Sequence, residues 1–167
     1  FLYGFENPQD REIVGLLASS LAYGRVAQIL KSISKILTIL GESPKYFLAS
    51  NTVPQILKAF AGFKHRFTTE EEMGNFFVGI KKTIDEYGTL NECFRYGLKK
   101  NSNYIGALCH FTTSIIPGTC KNSLLPAPEK DSACKRLNLY LRWMIREDEV
   151  DPGGWQDVDK NDAIHRC

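Results

Sequence analysis

The sequence predicts an all-α fold, a compact multi-helix domain spanning residues 1–167. Three observations carry that prediction. Apolar residues recur at three- and four-residue spacing in most segments, the period of one helix face. Those segments start at capping residues and stop at glycine or proline. No strand-like alternation of useful length occurs. With 167 residues, 43% hydrophobic and 24% charged, the chain is long enough for one domain with a true core. Roughly seven or eight helices with short connections are expected, with no internal repeat and no low-complexity stretch.

The elements follow in order. Asn7-Pro8-Gln9-Asp10 opens the first helix: Asn7 caps, Pro8 suits the first helical position and Asp10 the first turn. Ile13, Leu16, Leu17, Ser20 and Leu21 form its buried stripe. Gly15, Ala18, Ser19 and Ala22 allow close approach of a neighbouring helix, and Gly24 is the expected left-handed stop. The second helix runs from about Arg25 to Leu40, with Val26, Ile29, Leu30, Ile33, Leu37 and Leu40 inward. Short helices start at Ser43-Pro44 and Thr52. Thr68 with Glu71 reads as a capping box for a long helix with Met73, Phe76, Phe77, Ile80 and Ile84 inward, closed by Gly88. Thr89 with Glu92 repeats the box. Ser102 or Asn103 opens a helix to about Ile116 that buries Ile105, Leu108, Cys109, Thr112 and Ile116. Pro117–Asp131 is the one long loop, of the kind that is functional or disordered.

The loop leads into the last helix, Ser132–Arg146, which has two unlike faces. Cys134, Leu137, Tyr140, Leu141, Met144 and Ile145 share one side; Lys135, Arg142 and Arg146 align on the other. Ser132 is the expected N-cap. The cation row is either a polyanion-binding face or the ordinary solvated face of an amphipathic helix. Charge supports the first reading. Arg95–Arg146 carries nine Lys/Arg against Glu129 and Asp131, whereas Glu147–Cys167 carries seven Asp/Glu against Lys160 and Arg166. Some of those cations can pair with the acidic tail. Arg136, Arg142 and Arg146 are candidate phosphate contacts, and Trp143 beside them is a candidate base-stacking residue or a core residue. Tyr23-Gly24-Arg25 and Lys64-His65-Arg66 are further spots of note, where a structural role is expected, with Arg66 between Phe63 and Phe67 anchoring a loop through carbonyl oxygens.

Five cysteines, Cys93, Cys109, Cys120, Cys134 and Cys167, are odd in number and unpaired in spacing. That pattern points to free thiols in the cytoplasm. The residues point to no metal and no cofactor: there is no CxxC, and the three histidines are scattered. No stretch approaches the roughly 18 apolar residues of a membrane span. The chain begins at Phe1 without Met and stops in a charged run at Cys167, which reads as a fragment of a longer protein.

CKRLNLYLRWMIREDEVDPGGW resembles the signature of a bacterial family known as domain of unknown function 2400. NPQDREIVGLLASSLAYGR, FKHRF and IDEYGTLNECF are similar to other segments of that family, in order along nearly the whole chain. The family in turn resembles the helix-hairpin-helix DNA glycosylases in helical layout. The resemblance implies a lysine nucleophile in the first turn after the hairpin, which here is Lys135. It also implies an assisting aspartate in a Pro-x-Asp-x-His context, which would lie beyond Cys167. One departure stands out: the glycosylase hairpin is glycine-rich, whereas LLPAPEKDSAC has no glycine. Two functions are therefore expected. One is a DNA base-excision glycosylase/lyase using Lys135, with Ser132, Arg136, Arg142, Trp143 and Arg146 on the nucleic acid. The alternative is a non-catalytic DNA- or RNA-binding or interaction module on the same scaffold, with Lys135 as an exposed phosphate contact. DNA is the expected partner, with no membrane association; the sequence assigns no oligomeric state.

Overall fold

The computed structural model of the chain describes residues 1–101, 103–117, 122–130 and 132–158. Eight α-helices are present among them: α1 (Pro8–Ser20), α2 (Val26–Leu40), α3 (Pro44–Ser50), α4 (Val53–Ala59), α5 (Glu70–Tyr87), α6 (Leu90–Asn101), α7 (Tyr104–Ile115) and α8 (Lys135–Ile145). Single 3-10 turns lie at Leu2–Gly4 and Pro128–Lys130. No strand occurs among the described residues, only isolated bridges His65–Thr68 and Glu147–Pro152. The all-α expectation holds. Cys120 and Cys167, His165, the Ser102 alternative and part of the long loop fall outside the described residues.

α1 is the hub. It packs against α8, α3 and α6, and ten of its thirteen residues are buried. Asn7 caps it, accepting from the Gln9 amide at 2.9 Å. Gly15 lies beneath α8, where a Cβ would meet Met144 Cε at 3.0 Å and Tyr140 at 3.3 Å. The helix stops at Ser20, not at Gly24. Tyr23 turns the chain early because its hydroxyl is tied to the segment around His65, and Gly24 forms a bend in the link that follows, at φ +97°.

Two carboxylates of α1 cap other helices. Asp10 accepts from Ser43 Oγ at 2.9 Å and from the Lys45 amide at 2.7 Å, at the start of α3. Glu12 accepts from the amides of Leu90 (2.9 Å) and Asn91 (3.1 Å), at the start of α6, and from Trp155 Nε1 at 3.0 Å. Sequence spacing gave α6 a capping box; Thr89 does accept from the Glu92 amide at 3.0 Å. Glu92 itself, however, pairs with Arg95 at 2.5 Å, and Glu12 supplies the acceptor for the free amides. Burial pushes the Glu12 carboxyl up to about 7, against the lowering pull of its three donors.

The core joins α1, α6, α7 and α8 through Phe94, Phe111, Tyr140 and Trp155. Trp155 stacks on Phe94 at 5.7 Å and meets Tyr140 edge-on at 5.2 Å. Two helix faces and one cap differ from their sequence pattern. In α2, Ile33, Ile36 and Leu40 are buried while Val26 and Leu30 are exposed, since only one edge of that helix meets the domain. In α7, Asn103 caps and Ala107, Leu108, Phe111, Thr112 and Ile115 are buried, while Ile105 is exposed. Phe111, the largest fully buried side chain of α7, meets Phe94 and Trp155 on the inward face. The capping box of α5 is Thr69 with Glu72, one residue later than expected. Thr68 is instead fully buried and bonded to Tyr23.

Candidate nucleic-acid interface

The predicted site residues sit on α8 and just before it. α8 begins at Lys135, three residues later than the sequence spacing indicated, and Ser132 is not its N-cap. Cys134 holds the cap position in the left-handed region (φ 49°, ψ 31°), with no side-chain cap bond. Burying the Cys134 side chain, 5% exposed, against the core forces this turn. Ser132 Oγ accepts instead from the Cys134 amide at 3.3 Å. The first turn of α8 borders a shallow hollow of about 260 Å³ lined by Pro126, Ser132, Ala133, Cys134, Lys135 and Arg136. Lys135 is exposed there, and among the described residues its amine has no ion-pair partner.

Further along α8, the expected cation row meets the acidic segment behind it. Gly153 donates to the Trp143 carbonyl at 3.1 Å and Trp155 to the Met144 carbonyl at 2.8 Å, folding residues 147–155 back over the helix end. Asp151, fully buried, then pairs with Arg142 Nε at 2.9 Å and Arg146 Nε at 3.6 Å. Asp148 takes Arg146 Nη2 at 3.1 Å. The amides of Asp151 and Val150 hold the Asp148 carboxyl below the usual carboxylate range. Arg142 and Arg146 are thus matched by carboxylates of the same chain. Trp143 is half-buried and packs against the core. Trp155, in the turn after α8, is 1% exposed in the core.

Arg136 faces the other way. Its guanidinium donates to the Ser20 carbonyl and to the Ser123 carbonyl (3.0 Å), and lies 5.1 Å from the centroid of the Tyr23 ring. Burial lowers its pKa. It performs the carbonyl anchoring that sequence reasoning assigned to Arg66.

Tyr23 is the centre of a polar network. Its hydroxyl donates to the His65 carbonyl at 3.0 Å and lies 2.6 Å from Thr68 Oγ1, which lies 2.7 Å from Ser123 Oγ. Each hydroxyl can donate once along this row, so Ser123 to Thr68 to Tyr23 to His65 is a consistent chain of donors. The His65 ring, 3% exposed, is pinned at both nitrogens. Nε2 donates to the Tyr23 carbonyl at 3.2 Å, and Nδ1 lies 2.8 Å from Ser32 Oγ of α2. Gly24 suits the position beside it: its φ of +97° strains any L side chain, and a Cβ there would also displace the Arg66 side chain, whose Cδ would lie 2.8 Å away.

Five cations belong to or adjoin the segments of this network: Arg66 lies against Gly24 and Arg136 over Tyr23, while Arg25, Lys64 and Lys135 are their chain neighbours, next to Gly24, His65 and Arg136. Among the described residues, none of the five has a carboxylate within ion-pairing distance, in contrast to Arg142 and Arg146. The sequence marked both tripeptides, Tyr23–Arg25 and Lys64–Arg66. It did not join them to α8, because no local spacing records a contact between residues 42 or more positions apart. Among the described residues no group of His, Cys, Asp or Glu could hold a metal ion. None of their helices is long and apolar enough to cross a membrane.

No curated protein and no solved structure matches the chain, so the glycosylase-like layout has no structural counterpart to rest on. The family model described as protein of unknown function DUF2400 matches residues 1–166. With nearly the whole chain matched, the protein belongs to the DUF2400 family.

Proposed function

We propose that the chain binds nucleic acid through the cationic patch formed by Arg25, Lys64, Arg66, Lys135 and Arg136. One observation carries the reading: these five cations lie around one rigid network with no carboxylate partner among the described residues, while the other basic residues of α8 are neutralised internally. A cluster of unmatched cations on a domain of formal net charge +2 is the electrostatic footprint of a polyanion ligand. Cytoplasmic residence belongs to the same proposal and accords with the free thiols of Cys93, Cys109 and Cys134.

Fluorescence anisotropy with DNA and RNA oligonucleotides over a range of salt tests it. Lys64→Ala with Arg66→Ala should weaken binding and flatten the log–log salt slope by about one for each cation removed. Arg146→Ala should leave the slope unchanged, because that side chain already faces Asp148 and Asp151. Absence of binding at low salt, or a slope that responds only to Arg146, rejects the assignment.

A second reading, strand-cleaving base excision, draws support from the position of Lys135 at the edge of the hollow before α8. The amine would attack C1′ of the sugar as the bond to the base breaks, and ring opening would give a Schiff base. Borohydride would then trap a covalent adduct on damaged duplexes. Loss of that adduct in Lys135→Ala supports the reading; no adduct, or one that survives the substitution, removes it.

A further inference from the structure

We propose that Phe67 is a base-stacking residue and that the patch therefore selects nucleic acid with unpaired bases over intact duplex. This rests on the reading of the patch as a nucleic-acid interface.

His65 and Thr68 exchange backbone hydrogen bonds of 3.0 and 2.9 Å, so Arg66 and Phe67 are the two central residues of a tight turn. Arg66 has φ 53°, a conformation that such turns usually give to glycine, asparagine or aspartate. The residues on either side are locked: Phe63 and His65 are each 3% exposed and Thr68 is fully buried. The base of the turn is thus rigid, while its tip carries a phenylalanine that is 71% exposed. Arg66 is not the residue its conformation favours, and an exposed Phe ring contributes nothing to the core. The Arg66 guanidinium lies 5.4 Å from the centre of that ring, a cation–π contact that orients it.

A preorganised aromatic among cations is the arrangement that binds single strands: cations follow the phosphates and the ring stacks on a base. Bases of an intact duplex present no free face to it. The patch also offers turns and a helix end, with no long helix face to enter a major groove.

The test uses a short single strand carrying one 2-aminopurine and the fully paired duplex of the same sequence, titrated at one salt concentration. The single strand should bind at least about ten-fold more tightly, with 2-aminopurine emission quenched on binding. Phe67→Ala should cost about ten-fold in single-strand affinity, the loss of one stack, and abolish both the quenching and the preference, with the salt slope unchanged. Phe67→Trp should retain all three, whereas Phe67→Leu, apolar but without a π face, should behave as Ala. Salt-dependent binding that is indifferent to Phe67→Ala overturns the stacking role and leaves the cationic patch standing. Equal or tighter binding of the duplex likewise overturns it. No binding of either probe by the unaltered protein removes the interface itself, and the stack with it.

Discussion

Glu12 makes folding stability fall as pH rises from weak acid to neutrality, and Glu12→Gln should abolish that fall. The carboxyl is 2% exposed and its folded pKa is raised from 4.5 to about 7 by burial. Between those values the folded chain holds a proton that the unfolded chain has lost. Stability from this group is therefore complete below pH 4.5 and is lost as pH rises through about 7. At about 1.4 kcal/mol for each pH step, the loss reaches about 3 kcal/mol. His110, whose pKa is lowered by burial, acts in the opposite direction, gaining stability as pH rises toward 6.5. The Asp148 contribution lies below 3.8. The difference between wild type and Glu12→Gln isolates Glu12 from both. Gln keeps one acceptor oxygen and sets its amide against a backbone N–H, so the variant starts from lower stability; the informative quantity is the pH slope. Urea denaturation at a series of pH values measures it. If the stability difference between the two proteins stays constant to within about 0.5 kcal/mol from pH 4.5 to 7, the buried carboxyl does not titrate as its environment dictates and the reasoning fails.

Three further outcomes are expected. Gly79→Ala should lower stability by about 3 kcal/mol or more, seen in a thermal melt: its Cβ would lie 1.8 Å from the Ile115 carbonyl oxygen, which as backbone cannot move aside. Arg136→Lys should cost about 1–3 kcal/mol and speed amide exchange at Leu124 and Leu125, since an ammonium cannot reach Ser20 and Ser123 together while stacking on Tyr23. Cys93, fully buried with its thiol pushed up to about 11, should stay unlabelled by iodoacetamide in the native protein, while half-buried Cys109 reacts; peptide mapping by mass spectrometry separates the two.

Much of the helical framework was legible along the chain. Asn7, Ser43, Thr52 and Asn103 cap the helices they precede, and Gly88 ends α5 with its amide on the Ile84 carbonyl at 2.7 Å. Such signals involve partners within four residues, so spacing alone reveals them. The errors arose where tertiary contacts overrode a local option. Thr68 is a sound cap by type, yet Tyr23 and Ser123 claim its hydroxyl. Ser132 is another, yet burial of Cys134 moves the start of α8 beyond its reach. Val26 and Leu30 fit the apolar stripe of α2, but that helix is covered on only one edge.

By itself the sequence determined the helix inventory, most caps, the tight packing at Gly15, and the family. Only the tertiary structure decided which charges remain for a ligand. Arg142 and Arg146 look like the strongest cations along α8, but Asp151, nine residues beyond Arg142, swings back to neutralise them. Arg25, Lys64 and Arg66 look scattered and end up together. Glu12 and Trp155, 143 residues apart, meet in the core. Helix period and capping depend on neighbours a turn away, whereas charge pairing and burial depend on which distant segments the folded core brings within a few ångströms.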